Sequence, residues 1–269
     1  MKKAVLLARG LGTRMRQADS AVLLDAEQEA IARTGLKAMI PIGRPFLDYV
    51  LSELADAGYE EVCVVIGPEH GVVKNHYMNV TPPRRTRISF AVQAEPRGTA
   101  DAVLTVEEFV SGEDFLCMNS DNYYPVSVLR ELRALNEPGM PLFDRLTLLT
   151  RGNISEEKIR KYAICEVGDD GYLRAIVEKP ATPVMAAARG DALVSMNCWR
   201  FSAAIFEVCR HTPLSPRGEY ELPVAVGEGI QLYGLRFRAV RCHEGVLDLS
   251  SRADIAVVAE KLRGVLANP

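Results

Sequence analysis

Residues 2 to 15 read KKAVLLARGLGTRM, which sets several phosphate-handling groups close together. Lys2 and Lys3 lead into an apolar run from Ala4 to Ala8, short enough for a buried strand. Gly10, Gly12, Thr13 and Arg14 follow at once. Lacking a Cβ, glycine lets backbone N–H groups close on a phosphate. The Arg14 guanidinium adds a planar fork of donors for phosphate oxygens. A strand feeding such a loop outlines a nucleotide site. It is not a Walker loop, because G-x-x-x-x-G-K-[ST] does not occur in the chain. The dinucleotide fingerprint G-x-G-x-x-G fails at its third glycine, where Met15 stands, and a polar, Ala-rich stretch to Gly35 replaces the prompt helix and second strand. A glycine turn carrying a surface arginine is the plain alternative.

The elements around this loop must carry the rest of a site. Pro45 can open a helix with Leu47, Val50, Leu51 and Leu54 on one face and Gly58 beyond its end. Residues 60 to 67, 87 to 93, 114 to 121 and 145 to 150 read as strands, and 98 to 109 and 126 to 135 as helices. This βαβα order predicts an α/β fold with a doubly wound, mostly parallel sheet. Active groups then belong at the carboxyl ends of the strands, where Gln93, Asp121 and the glycine loop all fall. Beyond residue 150 the pattern changes. Residues 162 to 180 read as two strands joined by a turn at Asp169-Asp170-Gly171. An Ala-rich segment, a strand over 193 to 201, two helices and a final helix near 251 to 266 complete the chain.

Composition narrows the partners. The chain has 269 residues, 48% of them apolar, which suits a globular core. Its 35 acidic against 32 basic residues give a net charge of −3, so no global basic field favours nucleic acid. Arg84, Arg85 and Arg87 beside Pro82-Pro83 read as a solvated loop. Six scattered cysteines include no C-x-x-C pair, which leaves zinc or thioredoxin-like chemistry unsupported and fits a reduced cytoplasm. Arg9 interrupts the first apolar run too early for a signal h-region, and no stretch approaches the ~18 apolar residues of a membrane span. A cytoplasmic protein is expected, free of membrane contact and open to homo-oligomerisation.

The loop closely resembles the signature of sugar-1-phosphate nucleotidyltransferases, L-A-A/G-G-x-G-T-R-M/L, followed by a lysine before a short apolar strand. That lysine is Lys37, in GLKAMIPI. The resemblance recurs in order along the whole chain. QAEPRGTADAV (93 to 103) looks like the family's Q-x-x-x-x-G-T-A-D-A-V segment. A glutamine amide donates and accepts at once, so Gln93 can read a base edge, and Gly98 permits close backbone approach. NSDNYYP (119 to 125) resembles the strand-end segment whose aspartate binds magnesium, which implies Asp121; GVLDLSSRADI implies Asp248 as the second ligand. Magnesium usually takes one or two carboxylates, with phosphate oxygens and water. EKP (178 to 180) implies that Glu178 binds sugar hydroxyls and Lys179 the sugar phosphate. SMNCWRF (195 to 201) resembles the strand that supplies another sugar contact, which implies Ser195 and Asn197 as candidates, and GEYELP (218 to 223) resembles the acidic segment that closes the sugar end, with Glu219 and Glu221 as further candidates.

The resemblance therefore implies a Rossmann-like, GT-A-type fold in one domain. Residues 1 to 150 would form the nucleotide-binding half, and 151 to 269 a sugar-binding half with a small β extension. An oxygen of a sugar 1-phosphate would attack the α-phosphate of a nucleoside triphosphate and expel pyrophosphate in line. Arg14, Lys37, Asp121 and Lys179 would be catalytic. Leu7, Ala8, Arg9, Gly10, Gly12, Thr13, Gln93, Gly98 and Thr99 would bind nucleotide; Asn122, Ala163, Glu178, Ser195, Asn197 and Glu219 would bind sugar. In that family such a glutamine goes with uracil or thymine, so the resemblance implies UTP or dTTP, with GTP a close rival and ATP and CTP left open, since an amide can pair with any base edge.

The chain also departs from the pattern. Arg9 stands where a small residue usually lies, and can stack on the base, point to solvent or alter base choice. Ser120 replaces a glycine, Ala163 another, and Val246-Leu247 occupies the place of a tryptophan. Residues 16 to 36 are longer than usual. Ser20 can cap a helix carrying Val22, Leu23, Ala26, Ala30 and Ile31 and stopped by Gly35, either packed on the domain or closing over the triphosphate. Two further readings remain open: a catalytically silent nucleotide-sugar sensor, and a phosphocholine cytidylyltransferase whose cation cage would draw on Trp199 and Tyr220.

Overall fold

Alternate residues of the first strand are apolar on both sides, and they divide between two cores. The computed structural model describes residues 1–177 and 193–269. In β1 (Lys3–Leu7), Ala4 and Leu6 pack into one cluster with Phe46, Leu47 and Leu51, while Val5 packs into the other with Val103 and Val106. Strands buried on both faces suit a parallel sheet with helices on each side. β2 (Glu61–Ile66) and β4 (Phe115–Asn119) flank β1 in parallel, and β3 (Arg87–Val92) extends the sheet beyond β2. The carboxyl ends of all four thus point the same way.

The second half joins this sheet edge-on. β10 (Cys198–Phe201) lies antiparallel to β4, with Trp199 opposite Cys117. β6 (Gly139–Asp144) follows; β11 (Arg238–Cys242) runs parallel along it, and β9 (Leu193–Ser195) antiparallel. The hairpin of β7 (Ala163–Val167) and β8 (Leu173–Val177) closes the far side. A separate two-stranded sheet pairs β5 (Asn122–Tyr123) with β12 (Leu247–Asp248) antiparallel, placing Asp248 opposite Asn122.

Three expectations are corrected. Residues 145 to 150 are not a strand: the strand ends at Asp144, whose carboxylate accepts from the Thr147 N–H at 2.8 Å and so caps a helix over Arg145–Arg151. Leu148 is buried and Leu146 exposed, as on an amphipathic helix. The strand over 193 to 201 is two strands, because Asn197 takes φ 58° and turns the chain between them. Asparagine is among the few residues that visit this left-handed region routinely. The helix in the 16 to 36 segment begins at Ala26 rather than after Ser20. Asp25 and Gln28 form a capping box there, with Asp25 Oδ1 accepting from Gln28 N at 2.8 Å. Gly35 ends it as expected, at φ 78°.

That helix is tied to the body of the protein. Buried Arg252, in the first turn of the C-terminal helix (Arg252–Lys261), grips Glu29 with both terminal nitrogens and donates Nε to Met15 O at 3.0 Å. Arg16 Nε adds a bond to Thr34 O at 3.0 Å. The reading of a helix packed on the domain matches these contacts. Among the described residues, no helix is long and apolar enough to cross a membrane.

Candidate active site

β1 ends at Leu7, and the chain then makes the tight glycine loop. Gly12 sits at φ 62°, where a Cβ would come 2.3 Å from Gly35 O. The loop and the end of the Ala26–Thr34 helix therefore touch backbone to backbone. This contact sets the next turn, in which Lys37 N donates to Gly35 O at 2.9 Å and the Lys37 side chain reaches back to the sheet. Its ammonium meets Asp121 Oδ2 at 2.7 Å, just past the end of β4. Residues 84 positions apart are thus joined across the mouth of the strands.

A cavity of about 340 Å³ opens here. Leu7, Ala8, Arg9, Gly10 and Thr13 line it from the end of β1 and the loop, Gln93, Gly98 and Thr99 from the segment after β3, and Lys37, Asp121 and Glu219 are the other expected residues on its wall. Gly12 lies behind the wall as a packing contact. Arg14 is exposed and makes no hydrogen bond among the described residues. Its charge is felt at the half-buried Tyr162. Burial, then Asp248 and Asp121, hold that hydroxyl well above its usual pKa, with Arg14 pulling it down.

Gln93 is oriented by acceptors. Its Nε2 donates to Gly98 O at 3.0 Å and Asp101 Oδ2 at 2.7 Å, so the amide presents Oε1 as its remaining face. Gly98 has a structural duty. At φ 118° its missing Cβ makes room for the Tyr220 backbone, 2.4 Å from where that atom would stand. Thr99 Oγ1 accepts from Leu222 N at 2.8 Å, docking the helix over Leu222–Leu232 onto the cavity wall.

Arg9 neither points to solvent nor projects unpaired. Its Nε donates to Gln93 O at 3.2 Å and its Nη1 lies 2.7 Å from Glu69 Oε1, against Gly67. A long cationic side chain thereby lies along the cavity wall next to Gln93. Neighbouring His70 is buried, and burial, with Arg9 nearby and Glu69 opposing, lowers its pKa.

The remaining candidates divide. Ala163 and Ser195 are registered opposite one another on β7 and β9, and Asn197 N donates to Ser195 Oγ at 3.3 Å; Ala163 and Ser195 are buried. Glu221 is a buried structural acid, accepting from Ser215 Oγ at 2.8 Å and pairing with Arg217. Glu178 and Lys179 lie outside the described residues. Asn122 is buried and donates to Asp248 Oδ1 at 3.2 Å. Asp248 is brought close to Asp121, since Leu249 N donates to Asp121 O at 2.8 Å, yet it does not line the cavity.

Sequence reasoning missed Lys158, whose ammonium lies 2.7 Å from Asp248 and 2.6 Å from Asp254. The signal was slight, a lysine in a short helix capped by Ser155. Among the described residues, no group of three or more His, Cys, Asp or Glu is arranged to hold a metal. Asp121 fits a divalent cation in part: it is at the cavity, and its Oδ1 accepts nothing among the described residues. Trp199 is buried and stacks on Phe201 at 5.6 Å, so it cannot form a cage for a quaternary ammonium.

The family model described as nucleotidyl transferase matches residues 3–229. The chain belongs to the nucleotidyl transferase family. It is 28% identical over 262 residues to a UTP–glucose-1-phosphate uridylyltransferase, AglF, of Haloferax volcanii, covering 97% of this chain and 96% of that protein. It is 30% identical over 230 residues to a glucose-1-phosphate thymidylyltransferase of Streptomyces griseus, covering 83% of this chain but 56% of that one. A solved UTP-bound UGPase from Acinetobacter baumannii superposes with a TM-score of 0.74 at 19% identity, covering 100% of this chain and 96% of that one. A UDP-glucose pyrophosphorylase complexed with UDP-glucose gives 0.72 at 21%, covering 98% of each chain. At such identities these two structures speak for the fold.

Proposed function

We propose that this protein joins UTP to a glucose-type sugar 1-phosphate, releasing pyrophosphate and forming a UDP-sugar; dTTP is the second nucleotide and GTP the third. The observation that carries this reading is one cavity holding the glycine loop, the Gln93 amide and the Lys37–Asp121 pair. The acceptor face of Gln93 suits a base that offers a ring N–H, as uracil and thymine do. The names of the relatives support the substrate class.

The nucleophile is a phosphate oxygen that is already ionised, so no protein base is required. Catalysis is alignment plus neutralisation of charge. The loop from Ala8 to Thr13 would cradle the triphosphate, with Arg14 at its rim and Lys37 across from it. Magnesium, held by Asp121 with phosphate oxygens and water, would supply further neutralisation of the triphosphate. Glu219 and Asn197 would face the sugar, and Glu178 and Lys179 would hold its hydroxyls and phosphate.

The test is pyrophosphate release with magnesium, crossing ATP, CTP, GTP, UTP and dTTP with a panel of sugar 1-phosphates and phosphocholine. Release that requires UTP and a glucose-type acceptor is the expected result. Nucleotide binding by thermal shift without release from any pair would replace this reading with the sensor. Release with CTP and phosphocholine would replace it with the cytidylyltransferase.

A further inference from the structure

Asp248 sits in a closed cage of protein donors. Its Oδ1 accepts from Asn122 Nδ2 at 3.2 Å; its Oδ2 accepts from Lys158 Nζ at 2.7 Å and Ser250 Oγ at 2.6 Å. Its backbone is gripped as well: Asp248 N donates to Asn153 Oδ1 at 2.7 Å, and Asn153 Nδ2 donates to Asp248 O at 2.8 Å. The same Lys158 ammonium lies 2.6 Å from Asp254 Oδ1, while Asp254 Oδ2 accepts from Ser251 N at 2.7 Å and Ser250 N at 3.1 Å. The side chains of Lys158, Asp248 and Asp254 are 15%, 5% and 9% exposed.

A divalent cation on Asp248 would have to displace an ammonium from two short charge-assisted bonds and leave the buried Asp254 carboxylate without its cation, held by Ser250 and Ser251. Asp121 is engaged through one carboxylate oxygen only, and its Oδ1 accepts nothing among the described residues. It lines the cavity, and its single charged partner among the described residues is Lys37. The two aspartates are mechanically linked all the same. β12 pairs with β5, and Leu249 N donates to Asp121 O at 2.8 Å. Whatever holds Asp248 in place therefore holds the Asp121 backbone.

We propose that Lys158 is the resident cation of Asp248. The Lys158–Asp248–Asp254 triad is a structural anchor that positions Asp121, and among the described residues Asp121 is the single carboxylate for the divalent cation that arrives with the nucleotide. Lys158 and Asp248 are thus positioning residues. The inference rests on the proposed transfer reaction only in taking a nucleotide as the carrier of the cation.

The probe is Mn2+, titrated into the full chain with UTP and no acceptor, with free Mn2+ read by electron paramagnetic resonance. Asp121→Asn should weaken binding by about ten-fold or more. Asp248→Asn, which keeps an acceptor for Lys158 and Ser250, should change it by less than about three-fold. A larger loss in Asp248→Asn overturns the proposal. A second arm uses Mn2+ alone and thermal melting. Lys158→Met leaves two facing carboxylates without their ammonium, so Mn2+ should raise its melting temperature by about 3 °C or more, with wild type within about a degree. Equal shifts in the two proteins overturn the proposal. Neither readout needs turnover, and the second needs no nucleotide. Wild-type protein that releases no pyrophosphate yet behaves so toward Mn2+ would sink the transfer reaction and leave the anchor standing.

Discussion

Two aspartates at strand ends, Asp121 and Asp248, lie side by side in the fold and live in opposite surroundings. Asp121 opens onto the cavity and holds one lysine. Asp248 is enclosed by Asn122, Lys158, Ser250 and Asn153. A carboxylate with an unengaged oxygen facing a cavity can accept a cation or a substrate. One with every oxygen engaged by buried donors fixes the backbone around it. The residue type is the same; the number and burial of its partners decide what it can do.

This contrast can be broken experimentally. The largest effect should fall on the open side. Lys37→Ala or Asp121→Asn should lower kcat by about 10²–10³-fold, with the far-ultraviolet spectrum and unfolding midpoint near wild type. A rate near wild type in either would remove that residue from the mechanism. On the closed side the damage should appear in stability. Lys158→Met strands two buried carboxylates and should cost about 3–5 kcal/mol in denaturant unfolding. A loss under about 1 kcal/mol would mean that the cage is open to water.

Smaller effects sharpen the picture. Gly12→Ala puts a Cβ into the left-handed region against Gly35 O, which should cost about 1–2 kcal/mol of stability and raise the KM for the nucleotide. An unchanged KM would separate this backbone contact from nucleotide binding. The least effect concerns the cysteines. All six are buried, and burial pushes the thiols of Cys209 and Cys242 from 9.0 up to about 12. Native protein should therefore resist alkylation at pH 8, and urea should expose all six to it. Thiols of the unfolded chain ionise near 9.0 while the folded ones stay protonated, so their contribution is intact below that and is lost as pH climbs toward about 12. A midpoint of unfolding that rises across this interval would contradict the burial.

Much of the open side was legible because it is local. A buried strand, a glycine turn and an arginine follow one another in fourteen residues, and the lysine comes soon after. Gln93 and Asp121 end strands, which alone predicts that they share an edge of a parallel sheet. The helix over Phe46–Asp56 was readable from spacing and from its flanking Pro45 and Gly58. Misreadings arose where one residue overrides a pattern. Asp144 turns a Leu-rich run from strand to helix by capping it, Asn197 breaks a strand by taking positive φ, and Asp25 with Gln28 outcompetes Ser20 as a cap.

The amino-acid sequence by itself determined the family, the parallel core and the gathering of the glycine loop, Gln93 and Asp121 at one end of that core, since each depends on neighbours in the chain or on short periodicities. Only the tertiary structure decided what Arg9, Gly98, Asp248 and Lys158 touch. Arg9 finds Glu69 across a strand crossover, Gly98 yields space to Tyr220, and Lys158 meets Asp248 from 90 positions away. Such pairings leave no local signal. Their energies come from removing opposite charges and close-packed backbones from water together, and which groups are removed together is settled when distant strands pair.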